Sequence, residues 1–166
     1  MFNVGIITVS DGVSRGQRSD ESGKAIRDSL SGVDSRVVKY EVIPDEAEMI
    51  ANKLAQWADE GSVDVILTTG GTGLAPRDVT PEATLSVIDR VVPGVAEVMR
   101  IQTFSKTPLS MLSRAVAGVR KKCLIINLPG SPKAVRECLE VILPAIAHAV
   151  GIIKGEITLH TTSGKD

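Results

Sequence analysis

The apolar run Val63-Asp64-Val65-Ile66-Leu67 empties through Thr68-Thr69 into Gly70-Gly71-Thr72-Gly73, and the pair Arg77-Asp78 and the dipeptide Thr80-Pro81 follow closely. A β-branched run that stops at glycines reads as a strand whose carboxyl end is bare backbone. Thr followed by Pro is a favoured helix entry. The junction is thus a strand, a Gly-rich loop and a helix N-terminus in succession, with one carboxylate among them. Exposed peptide N–H groups and a helix N-terminus attract anions.

The rest of the chain repeats the alternation. Phe2 to Val9 is a β-branched strand ending at the turn signal Ser10-Asp11-Gly12. Asp20 is placed to cap a helix through Leu30, and Arg36 to Ile43 alternates as a second strand broken by Pro44. Asp45 and Glu48 match a capping box opening a helix with Ile50, Leu54 and Trp57 on one face, which ends near Gly61. Val63 to Thr68 is the third strand, and Thr80 caps a helix to about Ile88. Val95 to Gln102 reads as a short helix, and Ala115 to Val119 pairs with Cys123 to Asn127 across Arg120-Lys121-Lys122. Ser131-Pro132 starts a last helix to about Ile153, striped by Val135, Leu139, Ile142, Ile146 and Val150, with Pro144 expected to kink it. Strands alternating with helices predict right-handed crossovers and an α/β domain with a mostly parallel sheet covered on both faces. Ligands of such sheets bind beyond the strands' carboxyl ends, where Ser10-Asp11-Gly12, Gly70 to Asp78 and Asn127 to Ser131 all fall. A length of 166 residues predicts one domain, residues 1–166.

Composition narrows the function. The 19 basic and 20 acidic residues leave a formal net charge of -1, so no overall field recruits nucleic acid or an anionic membrane. The aromatic residues are Phe2, Tyr40, Trp57 and Phe104, too few for base-stacking platforms. No apolar run approaches a membrane span. Cys123 and Cys138 lack Cys-x-x-Cys spacing and no charged-then-apolar leader precedes Val4, so a reducing cytoplasm is expected. His148 and His160 have no partners at zinc-ligand spacing, and Ser113 has no nearby His for a nucleophilic triad.

Each candidate residue carries a plain alternative. Asp78 is either a loop residue bonding the start of the Thr80 helix or a Mg²⁺ ligand beside bound phosphates. Asp45 is either half of a capping box or an acidic site residue, and separate oxygens allow both. Ser131 is a helix cap that also aims free N–H groups at any docked anion. Lys24, Arg77, Lys106, Arg114 and Lys133 are candidate counter-charges, each otherwise a solvated surface residue.

Taken together, Thr68 to Gly73, the block Arg77-Asp78-Val79-Thr80-Pro81-Glu82-Ala83-Thr84, Leu112-Ser113-Arg114 and Asn127-Leu128-Pro129-Gly130-Ser131-Pro132 resemble the molybdenum-cofactor family that includes Mog, MoaB and the G domain of gephyrin. The similarity runs from Val4 to the last helix, and the Arg-Asp-Val-Thr-Pro-Glu block places the chain nearer the Mog branch. The resemblance implies a three-layer α/β/α molybdopterin-binding fold, a homotrimer, and Mg²⁺-dependent transfer of AMP from ATP to molybdopterin with release of pyrophosphate. It casts Asp45 and Asp78 as the catalytic, metal-organising acids. Gly70, Gly71, Thr72 and Gly73 would meet phosphate or pterin through backbone N–H groups, flanked by Arg77 and Arg114. Ser113 would lie near the pterin, and Ser10, Asp11, Pro129, Gly130 and Ser131 would line the nucleotide pocket. Several Mog-like chains carry Gln where this one has Ser131. The same fold serves molybdate insertion in MoeA and the CinA-type domain, usually in longer chains. The alternative from another class is a non-catalytic MoaB-like scaffold trimer that carries molybdopterin without using ATP.

Overall fold

A computed structural model describes residues 1–156; His160 lies outside the described residues. Strands β1 (Phe2–Val9), β2 (Ser35–Ile43), β3 (Val65–Thr69), β4 (Arg90–Val91), β5 (Ala117–Arg120) and β6 (Cys123–Leu128) form one sheet in the order β2-β1-β3-β6-β5-β4. The first four in that order are parallel, and β5 and β4 close one side antiparallel. The helices are α1 (Asp11–Ser14), α2 (Glu21–Ser29), α3 (Ala47–Glu60), α4 (Thr80–Leu85), α5 (Pro93–Phe104) and α6 (Pro132–Lys154), with a 3-10 turn at Pro108–Leu112.

Side chains alternate across a strand, so each run feeds two cores. Val4, Ile6, Val65, Leu67, Leu124 and Ile126 face α2, α5 and α6, where Ile26, Met99, Leu139 and Ile142 are buried against them. Ile7, Val9, Ile66 and Ile125 face α3 and α4, meeting Ile50, Leu54, Trp57 and Ala83. Burying one such side chain contributes about 1.5–3 kcal/mol, which is why near-continuous apolar strands require helices on both faces. The result is the three-layer α/β/α sandwich with a mostly parallel sheet that the alternation and the resemblance predicted.

Several local expectations are corrected. The box of Asp45 and Glu48 does not form: Glu46 is the N-cap of α3 without a side-chain cap bond, because Asp45 has turned to the loop after β1. Thr80 is likewise inside α4 rather than capping it, Val79 holding the cap position. Helix α4 stops at Leu85, where the N–H groups of Val87 and Ile88 both turn back to the Thr84 carbonyl before the chain enters β4. Ser10-Asp11-Gly12 is not a simple turn but the start of α1, whose cap is Ser10. The β5–β6 hairpin forms without an Asn-Gly turn. Lys121 takes φ +50° there, and its N–H donates to Asp89 at 2.6 Å, so a side chain supplies what turn residues usually do.

Candidate active site

Because β1, β2, β3 and β6 are parallel, the segments after them emerge on one rim. They carry Ser10-Asp11, Asp45, Gly70 to Asp78, and Pro129 to Ser131 respectively. Residues far apart in sequence thus meet there.

Two adjoining chambers open at this rim. One, of about 670 Å³, is mainly apolar and lies between the glycine loop, the 3-10 turn and helices α5 and α6; Met99, Leu112, Ser113, Pro129, Ser131 and Cys138 are among its walls. The other, of about 720 Å³, is bounded by Ser10, Arg18, Ser22, Asp45, Gly70 and Pro132. Gly71, Asp78 and Gly130 border both. The shared wall is therefore one carboxylate and two residues without side chains.

The glycine loop is shaped for close approach. Gly71 takes φ +65°, and a Cβ there would collide with the Thr80 hydroxyl. The hydroxyl of buried Thr80 donates to the Gly70 carbonyl at 2.9 Å, and its N–H donates to the Gly71 carbonyl at 3.1 Å. Gly70's own N–H is taken by the Leu128 carbonyl at 3.3 Å. The N–H groups of Gly71, Thr72 and Gly73 have no acceptor among the described residues, so three of the four predicted donors remain free for an anion.

Asp45 and Asp78 share a chamber wall and one design. Asp45 accepts the Asp11 N–H on Oδ2 at 2.8 Å, while its Oδ1 lies 3.3 Å from where a Gly71 Cβ would stand. Asp78 accepts the Ala75 N–H on Oδ2 at 2.9 Å, so its loop role is a local turn and not a bond to α4. Each anchors one oxygen to backbone, and the other has no partner among the described residues. Desolvation, followed by repulsion from Asp11 and Asp78, raises the Asp45 pKa above the ordinary carboxylate value. A cation would be welcome between such groups.

The other expected site residues divide. Ser10 reaches the larger chamber, where Arg18 Nη2 donates to its Oγ at 3.3 Å, and Ser113, Pro129 and Ser131 reach the apolar one. Pro129 and Ser131 therefore do not share a pocket with Ser10, and of the Pro129-Gly130-Ser131 segment Gly130 alone touches both spaces. Asp11, Arg77 and Arg114 line neither. Arg77 instead grips Asp11 through Nε at 2.7 Å and Nη2 at 3.1 Å, and Glu46 through Nη2 at 2.9 Å. That hydrogen-bonded pairing holds the Asp11 carboxyl below its usual pKa. Arg114 sits behind the loop: Nε donates to the Gly73 carbonyl at 2.7 Å, Nη2 to the Asp78 carbonyl, and Nη1 pairs with Glu82. Of the proposed counter-charges only Lys133 lines a chamber; Lys24 pairs with Asp28 and Lys106 with Glu140.

Two contributors were not singled out from sequence: Arg18 and Arg100 line the chambers. Asn127, read from sequence as the start of a rim loop, lines neither and instead ties β6 to its neighbours. The buried Asn127 amide donates to Thr68 Oγ1 at 3.0 Å and Thr84 Oγ1 at 2.9 Å, and its carbonyl accepts the Val116 N–H at 3.2 Å. A polar residue ending an otherwise apolar strand, Cys123-Leu124-Ile125-Ile126-Asn127, was the available signal.

Residues 5–148 match the family described as "Probable molybdopterin binding domain". A molybdopterin adenylyltransferase of Helicobacter pylori is 45% identical over 156 residues, covering 93% of this chain and 89% of the relative. The molybdopterin adenylyltransferase of Escherichia coli K12 is 42% identical over 151 residues, covering 90% and 77%. A crystal structure of the molybdopterin biosynthesis enzyme MoaB from Thermus thermophilus superposes with a TM-score of 0.89 at 55% identity, covering 93% of this chain and 98% of that one. Identity at this level extends to a protein named MoaB, so names do not separate the two branches here.

Proposed function

Because the chain belongs to the molybdopterin-binding domain family, we propose that it is a molybdopterin adenylyltransferase of molybdenum-cofactor biosynthesis, moving AMP from ATP to the terminal phosphate of molybdopterin. The observation that carries this reading is the meeting of two chambers at Gly71, Asp78 and Gly130. Two substrates joined through phosphates need two rooms and a narrow common wall that admits their charged ends.

In the proposed reaction a terminal phosphate oxygen of molybdopterin attacks the α-phosphorus of ATP. A new P–O bond forms, the bond from α-phosphorus to the bridging oxygen breaks, and pyrophosphate leaves with that electron pair. The free N–H groups of Gly71, Thr72 and Gly73 supply fixed dipoles toward the phosphates, and no side-chain nucleophile is needed. The paired floor under Gly70 keeps those dipoles in place before substrate arrives.

Mg²⁺ fits the acidic wall on its chemistry. Two carboxylates, each with one uncommitted oxygen, match a metal that takes one or two carboxylates and completes its shell with phosphates and water. Asp45 and Asp78 would hold it, and it would neutralise charge on the phosphates. Asp45 is desolvated and repelled by Asp11 and Asp78, which leaves this wall in want of positive charge. The reading also brings a homotrimer and a reducing cytoplasm, in keeping with Cys123 and Cys138 as buried free thiols. Among the described residues no helix is long and apolar enough to cross a membrane.

Incubation of the purified protein with molybdopterin, ATP and Mg²⁺ should yield adenylylated pterin and pyrophosphate in equal amounts. Molybdopterin binding with neither product nor Mg²⁺-dependent ATP binding would instead establish the scaffold role.

A further inference from the structure

The resemblance places Asp11 in the nucleotide pocket and Arg77 among the substrate-binding groups beside the glycine loop. The geometry points to a different role: Arg77 and Asp11 form a positioning device that fixes the Asp45 carboxylate. Asp11 and Asp45 bond reciprocally, Asp11 N–H to Asp45 Oδ2 at 2.8 Å and Asp45 N–H to Asp11 Oδ1 at 3.2 Å. Each bond is favourable in itself, but the exchange sets two carboxylates side by side, where they repel. Arg77 resolves the conflict by taking both Asp11 oxygens as a fork, at 2.7 and 3.1 Å. Its third bond, from Nη2 to Glu46 at 2.9 Å, keeps the guanidinium over the start of α3. The loops after β1, β2 and β3 are thereby closed into one ring.

Three observations separate this from ligand contact. Neither Asp11 nor Arg77 borders a chamber, whereas Asp45 does. Arg77 would have to abandon a bidentate pair to reach a phosphate. The ring also selects which Asp45 oxygen is spent on backbone, leaving Oδ1 toward Gly71 at the common wall. Exposed ion pairs contribute little to stability, so the ring's consequence is geometric more than energetic.

The kinetic part of the test rests on the adenylyl-transfer reading; a second part does not. Arg77→Gln, Arg77→Lys, Asp11→Asn and the double variant Asp11→Asn/Arg77→Gln are compared with wild type for kcat and for KM toward ATP. Positioning predicts that kcat falls about tenfold to a hundredfold with KM within about twofold, the range expected when a catalytic group is slightly misplaced. The double variant should be no worse than the poorer single one, because both break one ring. Arg77→Lys should be as impaired as Arg77→Gln, since an ammonium cannot hold two oxygens in parallel. A several-fold rise in KM for ATP with kcat unchanged, or full rescue by Lys, would mean that Arg77 contacts phosphate and would overturn the inference. Amide hydrogen exchange, measured without substrate, judges the ring even if wild type shows no turnover. The Asp11 amide should be protected in wild type and exchange at least tenfold faster in Arg77→Gln; equal rates in both would sink the proposal.

Discussion

The buried hydroxyl of Thr80 donates to the carbonyl of Gly70 at 2.9 Å, joining the first turn of α4 to the bend that leaves β3. Replacing Thr80 by Val keeps the shape and removes the donor. The Gly70 carbonyl is then left without that partner inside the protein, at a cost of about 1–3 kcal/mol. Chemical denaturation should show that loss for Thr80→Val and much less for Thr80→Ser.

Gly71→Ala places a Cβ against that same hydroxyl and forces a side chain into the left-handed region at φ +65°. The backbone preference alone costs about 1–2 kcal/mol, and the collision adds to it. Thermal unfolding should fall by several degrees, with activity lost in parallel.

Gly73→Ala separates the two properties. Here φ is ordinary, and the added Cβ would lie 2.8 Å from Asp78 Oδ2, the movable end of a side chain. Stability should change by less than about 1 kcal/mol, within the usual range of a minor loop substitution. The displaced carboxylate should cut turnover at least tenfold. Asp78→Asn should do the same with an unchanged melting curve, and full adenylylation activity in that variant would remove Asp78 from the catalytic assignment.

Asn127→Leu tests the ties of β6 to its neighbours. The buried amide bonds the hydroxyls of Thr68 and Thr84 and the Val116 N–H, and its loss strands the Thr68 hydroxyl and the Val116 N–H, while the Thr84 hydroxyl keeps its bond to the Thr80 carbonyl. A destabilisation above about 3 kcal/mol is expected, more than a lone hydrogen bond explains.

Acid should reveal Asp59, at the far end of the molecule. Bonds from Arg120 and then Lys121 depress its pKa from 3.8 to about 2. A depressed folded-state pKa stabilises above the unfolded value and is lost as pH falls from about 4 toward 2. Asp59→Asn should flatten the stability profile across that window and be less stable than wild type at neutral pH, with the difference closing as pH falls toward 2.

Much of this architecture is written in local chemistry. β-Branched runs, proline at helix starts, and glycine after strands and helices specify elements through contacts within a few residues. Their alternation then leaves a parallel sheet little choice but two helical faces. The Asp45 and Asp78 candidates stood out on local pattern too, Asp45 directly after the strand-breaking Pro44 and Asp78 in the loop between the glycines and the Thr80-Pro81 helix entry. Local signals erred where a distant partner competed for the same atoms. Asp45 was a plausible cap until the Asp11 N–H, 34 positions away, took its Oδ2.

The sequence by itself determined the order of the main strands and helices, the apolar faces, and the presence of bare backbone and carboxylates at strand ends, because these follow from backbone preference and hydrophobic period; the short β4, α1 and 3-10 turn it did not mark. Only the tertiary structure decided that Arg77 serves Asp11 across 66 positions, that Arg114 braces the loop from behind, and that Pro129 and Ser10 face separate chambers. Those outcomes depend on which side chains the packed sheet brings within about 3 Å, a hydrogen-bond distance to which no local pattern is sensitive.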